Sequence, residues 1–436
     1  MTPAEQENPW TPEEEGDHSP VMKEWWTTEL LFKTPENHKH WNLMASFAYE
    51  HDTPSCFFQY VLFDMTSKRC VLDKDINDDI TKFHHTKNTL NLRYQKSSLT
   101  GLYPHYHLHI QDDDKEFSAD IDYTALSIPH WIAHDITSGN LPIGLNYYRY
   151  GFLPNCEVKG TMTLQGTTLK VEGKGYLEHA WGNWSYKKPL QILAGMRKTL
   201  DTYVHLSRWW LSHHKITFPN RIEFTSENNL FGYDWIWGIC ENNWSMFYGN
   251  SLLWVSEGPS FGALYVTPDG KQYWEFCNLH FKYNKMYYLR DYDIFYPLEL
   301  ELTGHLEDKT IHLRFISTTE NYEYIDPHTK SRFYTAYILS GLPGILEGTW
   351  SDKEKTVLLR GECKITSLRH VPKMGHNSIQ LSFLKPPQGI GTTTVINSHY
   401  LKKQVVIIFQ LAPRPRLHWK ITDIDLSAIP DETTTQ

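Results

Sequence analysis

The sequence predicts an all-β protein built of two antiparallel β-barrels packed side by side, and three observations predict it. The chain has 436 residues, more than one ordinary hydrophobic core accommodates, so two domains are expected. From Glu24 to about Ile424, short runs that alternate apolar and polar residues are separated by turn signals at roughly 8- to 12-residue intervals. The chain also carries 16 Trp, 26 Tyr and 20 Phe, and flat rings pack well on a pleated surface.

Residues 1–20 are acidic and hold Pro3, Pro9, Pro12 and Pro20, a composition that predicts a disordered tail. A first barrel is expected over 21–188. Its clearest element is the stretch Cys156–Val171. Cys156, Val158, Met162 and Leu164 fall on one face, Gln165-Gly166 makes a turn, and Leu169 and Val171 resume that face, which predicts a hairpin. Similar strand-like runs are Tyr106–Ile110, Phe261–Val266 (followed by a Pro268-Asp269-Gly270 turn), Leu298–Leu302, Thr310–Ile316, Phe333–Leu339 and Val405–Leu411. Between the barrels, 189–220 reads as a helical connector. It is free of Pro after Pro189 until Pro219, and Leu193, Met196, Leu200, Val204 and Leu211 recur at near-helical spacing. A second barrel is expected over 221–425, with a flexible tail over 426–436.

Charge and composition exclude several function classes. The formal net charge is -9, and Lys and Arg are scattered apart from pairs such as Lys187-Lys188 and Lys402-Lys403. No basic stripe of the kind nucleic acid requires is visible, so no nucleic-acid partner is expected. No polybasic segment directs the chain to a membrane, though peripheral membrane contact stays open. The six cysteines, Cys56, Cys70, Cys156, Cys240, Cys277 and Cys363, lack CxxC spacing and read as separate thiols in a reducing compartment. No signal-like start and no run of 18 or more apolar residues is present, which makes a cytoplasmic protein the expectation. Dinucleotide, P-loop and G-x-S-x-G motifs are also absent.

Three stretches carry a resemblance. Glu24-Trp25-Trp26, followed by Leu30, forms the first. The second runs from Tyr147-Tyr148 through Gly160 and Gly166 to Gly175-Tyr176-Leu177-Glu178-His179-Ala180-Trp181-Gly182. The third is Tyr233-Asp234-Trp235-Ile236-Trp237, with weaker echoes at Gly262–Gly270, Tyr296-Pro297-Leu298 and Gly361-Glu362. In this order they resemble the carotenoid 1,2-hydratase (hydroxyneurosporene synthase) and AttH-like family over about residues 21–370. The resemblance implies lipocalin-like barrels and a cofactor-independent hydratase or cyclase acting on an apolar isoprenoid or polyene. It implies no metal and no organic cofactor. Glu178 stands where the family has Asp. About fifty residues separate Gly182 from Tyr233, more than the family pattern has, and the chain after about 371 has no counterpart in it.

Hydration of an unactivated double bond needs an acid that protonates carbon, a face that tolerates a cation, and a base for water. A carboxyl in an apolar pocket has a raised pKa and can serve as the acid. Trp and Tyr faces attract cations, worth about 0.5–2 kcal/mol each. The candidate catalytic residues are therefore Glu178, His179, Glu24 and Tyr176. The candidate substrate-binding residues are Trp25, Trp26, Trp181, Tyr233, Trp235 and Trp237. On a strand, Tyr176 and Glu178 share one face while His179 and Trp181 share the other. The same residues also fit a purely structural role, as satisfied hydrogen-bonding groups and core rings. His105, His107 and His109 share one strand face. They read as a solvent-facing stripe rather than a zinc site, because side chains two residues apart stand about 7 Å apart. A non-catalytic carrier of an apolar lipid-like ligand is the alternative function, and a structural protein is a third. The oligomeric state is unread.

Overall fold

The computed structural model describes residues 10–36, 38–112, 116–143, 145–184, 195–213, 221–224, 231–252, 257–259, 261–289, 294–320, 324–330, 334–372, 377–384 and 389–424. The hairpin expected around Gln165-Gly166 is present. It joins the long strands Asn146–Leu164 and Thr167–Asn183. Gln165 and Gly166 both take positive φ, 49° and 80°, the left-handed pair that a two-residue hairpin turn requires and that glycine accepts without strain. Cys156, Val158, Met162, Leu169 and Val171 are buried, while Glu157, Lys159 and Lys170 face solvent.

Two large sheets share the order of their central strands and differ at their edges. In the first, the strands follow one another as Arg69–Asp79, Ser55–Asp64, Lys39–Glu50, Lys23–Thr34, Thr167–Asn183, Asn146–Leu164, Phe117–Ala125, His105–Gln111, Ser97–Leu102, Leu90–Tyr94 and Phe83–His84. The second runs Trp274–Phe276, Phe261–Thr267, Ser245–Leu252, Phe231–Cys240, Thr356–Pro372, Tyr334–Ser351, Lys309–Ser317, Ile294–Leu306, Asn278–Leu289 and Glu257–Pro259, the last of which lies in the chain between Ser245–Leu252 and Phe261–Thr267 but sits at the far edge. Each curves around its own core. Leu30, Phe47, Tyr60, Leu108, Ile121 and Val158 are among those filling the first, and Ile236, Tyr248, Leu300, Phe315, Trp350 and Ile365 the second. At about 1.5–3 kcal/mol for each buried large apolar side chain, these cores are the main stabilising term. A third cluster lies where the sheets meet. It joins Leu31, Tyr150, Phe152, Tyr176 and Ala180 of the first to Trp235, Trp237, Ile239, Phe247 and Tyr265 of the second.

The span expected to form one second barrel, 221–425, is divided. Residues 231–372 supply the second large sheet. Arg221–Phe224 instead pairs with Ser378–Phe383, which continues through Ile390–Ser398 and Lys403–Ala412 to Arg416–Asp423 as a separate five-stranded sheet. The connector is helical over Met196–His213. Its periodic apolar residues Met196, Leu200, Val204 and Leu211 are nonetheless exposed, whereas Thr199, Thr202 and Trp210 are buried. Residues 1–9, Lys187-Lys188, Leu193, Phe333 and the tail 426–436 lie outside the described residues.

The tail expected to be disordered is packed from Trp10 onward, because its acidic groups find partners. Glu14 pairs with Arg149 at 2.8 Å, and the Glu15 carboxylate accepts the Tyr103 backbone N–H at 3.1 Å. Asp17 lies 3.2 Å from the His85 ring and accepts the Tyr49 hydroxyl at 2.8 Å. Trp10 packs on Trp131, with centroids 5.7 Å apart. Residues 10–20 thus strap the end of the first barrel. All six cysteines are free thiols, and Cys70 is exposed. His107 and His109 pair across strands with Asp122 and Asp120 on the exposed surface.

Candidate active site at the barrel junction

The strands Lys23–Thr34 and Thr167–Asn183 lie side by side, with Glu24 opposite Trp181, Trp26 opposite His179 and Thr27 opposite Glu178. Alternation sends Glu24, Trp26, His179 and Trp181 toward the first barrel and its strap. It sends Trp25, Tyr176 and Glu178 toward the junction with the second barrel. The motif therefore builds two separate constellations on opposite faces of one ribbon.

On the inner face, Glu24 is buried. Its Oε1 lies 2.7 Å from His179 Nε2 and 2.8 Å from His18 Nδ1, while Oε2 accepts the His18 backbone N–H at 3.0 Å and the Tyr49 hydroxyl. His179 Nδ1 lies 2.9 Å from the Glu14 carbonyl oxygen, which can only accept, so Nδ1 carries a proton and a further proton lies between Nε2 and Glu24. Burial raises the Glu24 carboxyl, but the hydrogen bonds and charges of His179 and His18 outweigh it and hold it below the usual carboxylate range. Burial lowers the His179 imidazole, with the Glu24 hydrogen bond opposing. Trp26 stacks on His179 at 4.6 Å and Trp181 on His18 at 3.6 Å. His18, Glu24 and His179 each offer one ligand atom, all within 4.8 Å of one another, a donor set that zinc-like ions accept. Both rings already meet a single carboxylate oxygen at hydrogen-bond distance, so the trio is satisfied as a hydrogen-bond network. The cavity beside it, lined by Trp10, Glu15, Trp26 and His179 among others, encloses about 10 Å³, room for one water.

On the outer face, Glu178 keeps part of its surface exposed. Its Oε1 accepts the Trp25 indole N–H at 3.0 Å, and Oε2 accepts the Tyr176 hydroxyl at 3.0 Å and the Tyr150 hydroxyl. Tyr150 and Tyr176 are 2.9 Å apart, and Trp235 of the second barrel donates its indole N–H to Tyr150. Burial raises the Glu178 carboxyl to about 7, a rise aided by the charge of Glu29 and opposed by the hydrogen bonds from Tyr150, Trp25 and Tyr176. Burial and the charge of Glu178 keep both phenols well above their usual range, so both remain donors. Aromatic surface surrounds the group. Trp25 packs edge-on against Trp184 at 5.0 Å and lies 6.4 Å from Tyr148, and partly exposed Tyr148 and Tyr233 pack with Trp184 and Leu368.

Of the residues expected from sequence, Glu178, Tyr176, Trp25 and Trp235 come together. Tyr233 lies beside them in the same aromatic surface. Glu24, His179, Trp26 and Trp181 form the inner network. Trp237 is buried in the junction core, where its indole donates to the Pro154 carbonyl at 2.8 Å. Sequence reasoning missed Tyr150, Tyr148 and Trp184 on the outer face, and His18 and Tyr49 on the inner. Only the alternation of Tyr148 and Tyr150, two residues apart on one face, hinted at the first pair.

The crystal structure of an AttH-like protein from Nitrosomonas europaea superposes with a TM-score of 0.53 at 13% identity, covering 81% of this chain and 95% of that one. The chain has the lipocalin-like all-β fold. Kievitone hydratase from Nectria haematococca gives a TM-score of 0.49 at 13% identity, covering 84% of this chain and 99% of that chain. CghA in complex with Sch210972 gives 0.48 at 8% identity, covering 81% and 89%. No family model and no curated protein sequence matches the chain.

Proposed function

We propose that the protein is a cofactor-independent hydratase- or cyclase-type enzyme acting on an apolar isoprenoid or polyene at the barrel junction. One observation carries this reading: Glu178 is a partly exposed carboxyl raised to about 7, held by two phenols and an indole in aromatic surroundings. A carboxyl titrating near neutrality is suited to give and take a proton at working pH. In hydration, the Glu178 proton forms a C–H bond to one alkene carbon as the π bond breaks, leaving a carbocation on the other carbon and a carboxylate on Glu178. Trp25 and Tyr148 offer ring faces to that cation. Water then forms the C–O bond and returns its proton to Glu178, so the net change is addition of one water. In cyclisation, a second double bond of the substrate captures the cation in place of water, and loss of a proton to Glu178 closes the cycle. Glu24 and His179, on the opposite face, act as positioning residues that fix the ribbon carrying Glu178.

The alternative is a carrier of an apolar ligand. The cavity at the strap, with room for one water, disfavours a ligand held there. The test is mass spectrometry of lipids that co-purify with the protein from its own host, on wild type and Glu178→Gln together. A prenyl or polyene lipid converted by wild type and retained intact by Glu178→Gln supports the enzyme. The same lipid bound unchanged by both proteins supports the carrier and sinks the enzymatic reading.

A further inference from the structure

The five-stranded sheet of the C-terminal region has two unlike faces. Pairing places Thr392, Thr394 and Ile396 beside Phe409, Ile407 and Val405, and these beside Leu417, Trp419 and Ile421. Ile379, Leu381 and Phe383 complete the same face through their register with Ile396, Thr394 and Thr392. This face is apolar apart from its threonines and, at one end, Ser398 and the ion-paired Lys403 and Asp423. The opposite face carries Gln380, Asn397 and Gln404, where Gln404 donates to Asn397 at 2.8 Å and Asn397 to Ser378 at 2.9 Å. That face also holds Val395, Val406 and the exposed Ile408, so it is mixed, whereas the first face is the more continuously apolar. Trp419 is 69% exposed, Leu417 64% and Ile421 51%, and Phe383, Phe409 and Leu411 are exposed as well. A continuous apolar patch of this kind marks an interaction surface.

Charge identifies the occupant. The whole chain is acidic, at -9, but residues 377–424 hold six Lys and Arg against the single acid Asp423. Lys402 and Lys403 sit at one turn of the sheet, beside the exposed Tyr400 and Leu401, with Lys403 paired to Asp423. Arg414 and Arg416 sit at another, where with Gln410 and Pro413 they line a cleft of about 190 Å³. Arg416 and Lys420 lie on the outermost strand, so their long side chains can reach around its edge to the apolar side. Exposed Trp and aliphatic side chains ringed by Arg and Lys match the boundary of a bilayer, where rings sit at headgroup depth and cations meet anionic lipid. The connector helix adds a second exposed apolar stripe (Met196, Leu200, Tyr203, Val204, Leu211) with Arg197 and Arg208 nearby. Among the described residues, no helix is long and apolar enough to cross a membrane.

We propose that the apolar face of the C-terminal sheet docks on the surface of an anionic phospholipid bilayer, with the Arg414–Arg416 cleft taking a lipid phosphate. This is independent of the acid–base reading of Glu178. The test is flotation of the full-length protein with phosphatidylcholine vesicles, with and without phosphatidylserine, at low and high salt. Wild type is expected to float with the phosphatidylserine vesicles and to be released by salt. Arg414→Gln/Arg416→Gln should weaken binding about 25-fold, from roughly fivefold per basic residue at an anionic surface. Brominated phosphatidylserine vesicles should quench wild type more than Trp419→Phe. These positions are exposed, so the variants should keep the wild-type circular dichroism and melting temperature. Equal flotation of wild type and the double arginine variant would overturn the proposal, as would failure of wild type to float. A concentration-dependent dimer broken by Trp419→Ala, with no vesicle binding, would assign the face to a second copy of the chain instead.

Discussion

Lys364 of the second barrel places its Nζ 2.5 Å from Glu29 Oε2 of the first, with both side chains buried. The same ammonium donates to Asn42 Oδ1 at 2.7 Å. Burying two charges costs solvation that only their mutual pairing offsets, so the pair fixes how the barrels meet more than it stabilises them. Removing one partner leaves the other uncompensated. Lys364→Met is expected to lower unfolding free energy by about 3–5 kcal/mol, while Glu29→Leu/Lys364→Met should recover most of the loss. Guanidinium unfolding of the two single variants and the double variant checks this. Additive losses in the double variant would show that the two residues do not act as a pair.

Glu178 should control the pH profile. Its raised pKa keeps the neutral acid populated below about 7, so turnover should fall as pH rises through about 7. The sign for stability is the same. The contribution of a raised carboxyl is full below its ordinary value of 4.5 and is lost as pH rises through about 7. Glu178→Gln should lower turnover by about 10²–10⁴-fold and flatten the stability difference over that window. Turnover of the co-purified lipid, together with melting curves at several pH values, measures both.

Asp17 behaves oppositely. Burial raises its carboxyl, but the hydrogen bonds and charge of His85 and the Tyr49 hydroxyl outweigh it and hold it at about 2. Its contribution is present above its ordinary value of 3.8 and is lost as pH falls through about 2. Asp17→Asn should therefore cost about 1–2 kcal/mol near neutrality, and the gap from wild type should close as pH approaches 2. Urea unfolding of both proteins across that range reads it.

Trp10 anchors the strap through Trp131 and lies in one cluster with Trp181. Trp10→Ala is expected to cost about 3–5 kcal/mol, as for other buried aromatic truncations. It should also speed proteolysis within residues 10–20 and expose apolar surface that binds a hydrophobic dye. If cleavage rates in the strap stay unchanged, the strap is held by its acidic contacts alone.

His179→Ala removes one of the two rings on the buried Glu24 carboxylate. The expected loss is about 2–4 kcal/mol, because a buried anion loses a charge-assisted partner. His179→Gln, whose amide can still donate, should recover part of it. A catalytic role for His179 predicts instead that both variants lose turnover while keeping wild-type stability.

The alternation of apolar and polar residues by itself determined that the chain is all-β, where the hairpin at Gln165-Gly166 turns, and that Tyr176 and Glu178 face away from His179 and Trp181. These are local properties, since a period of two fixes the parity of side chains whatever the strand pairs with. Local periodicity does not carry long-range register, and only the tertiary structure decided the rest. It put Glu24 with His179 rather than with Glu178, because Glu24 lies opposite Trp181 on the inner face. It brought Tyr150 and Trp235, from strands far apart in the chain, onto Glu178. The strap was ordered because Glu14, Glu15 and Asp17 meet partners on three distant segments, which composition alone does not reveal. Residues 378–423 read as further barrel strands, yet their partners are one another and Arg221–Phe224. The helix signal at Met196, Leu200, Val204 and Leu211 gave the right element, and only the structure shows that this stripe is exposed, since periodicity identifies an apolar stripe but not what the stripe will face.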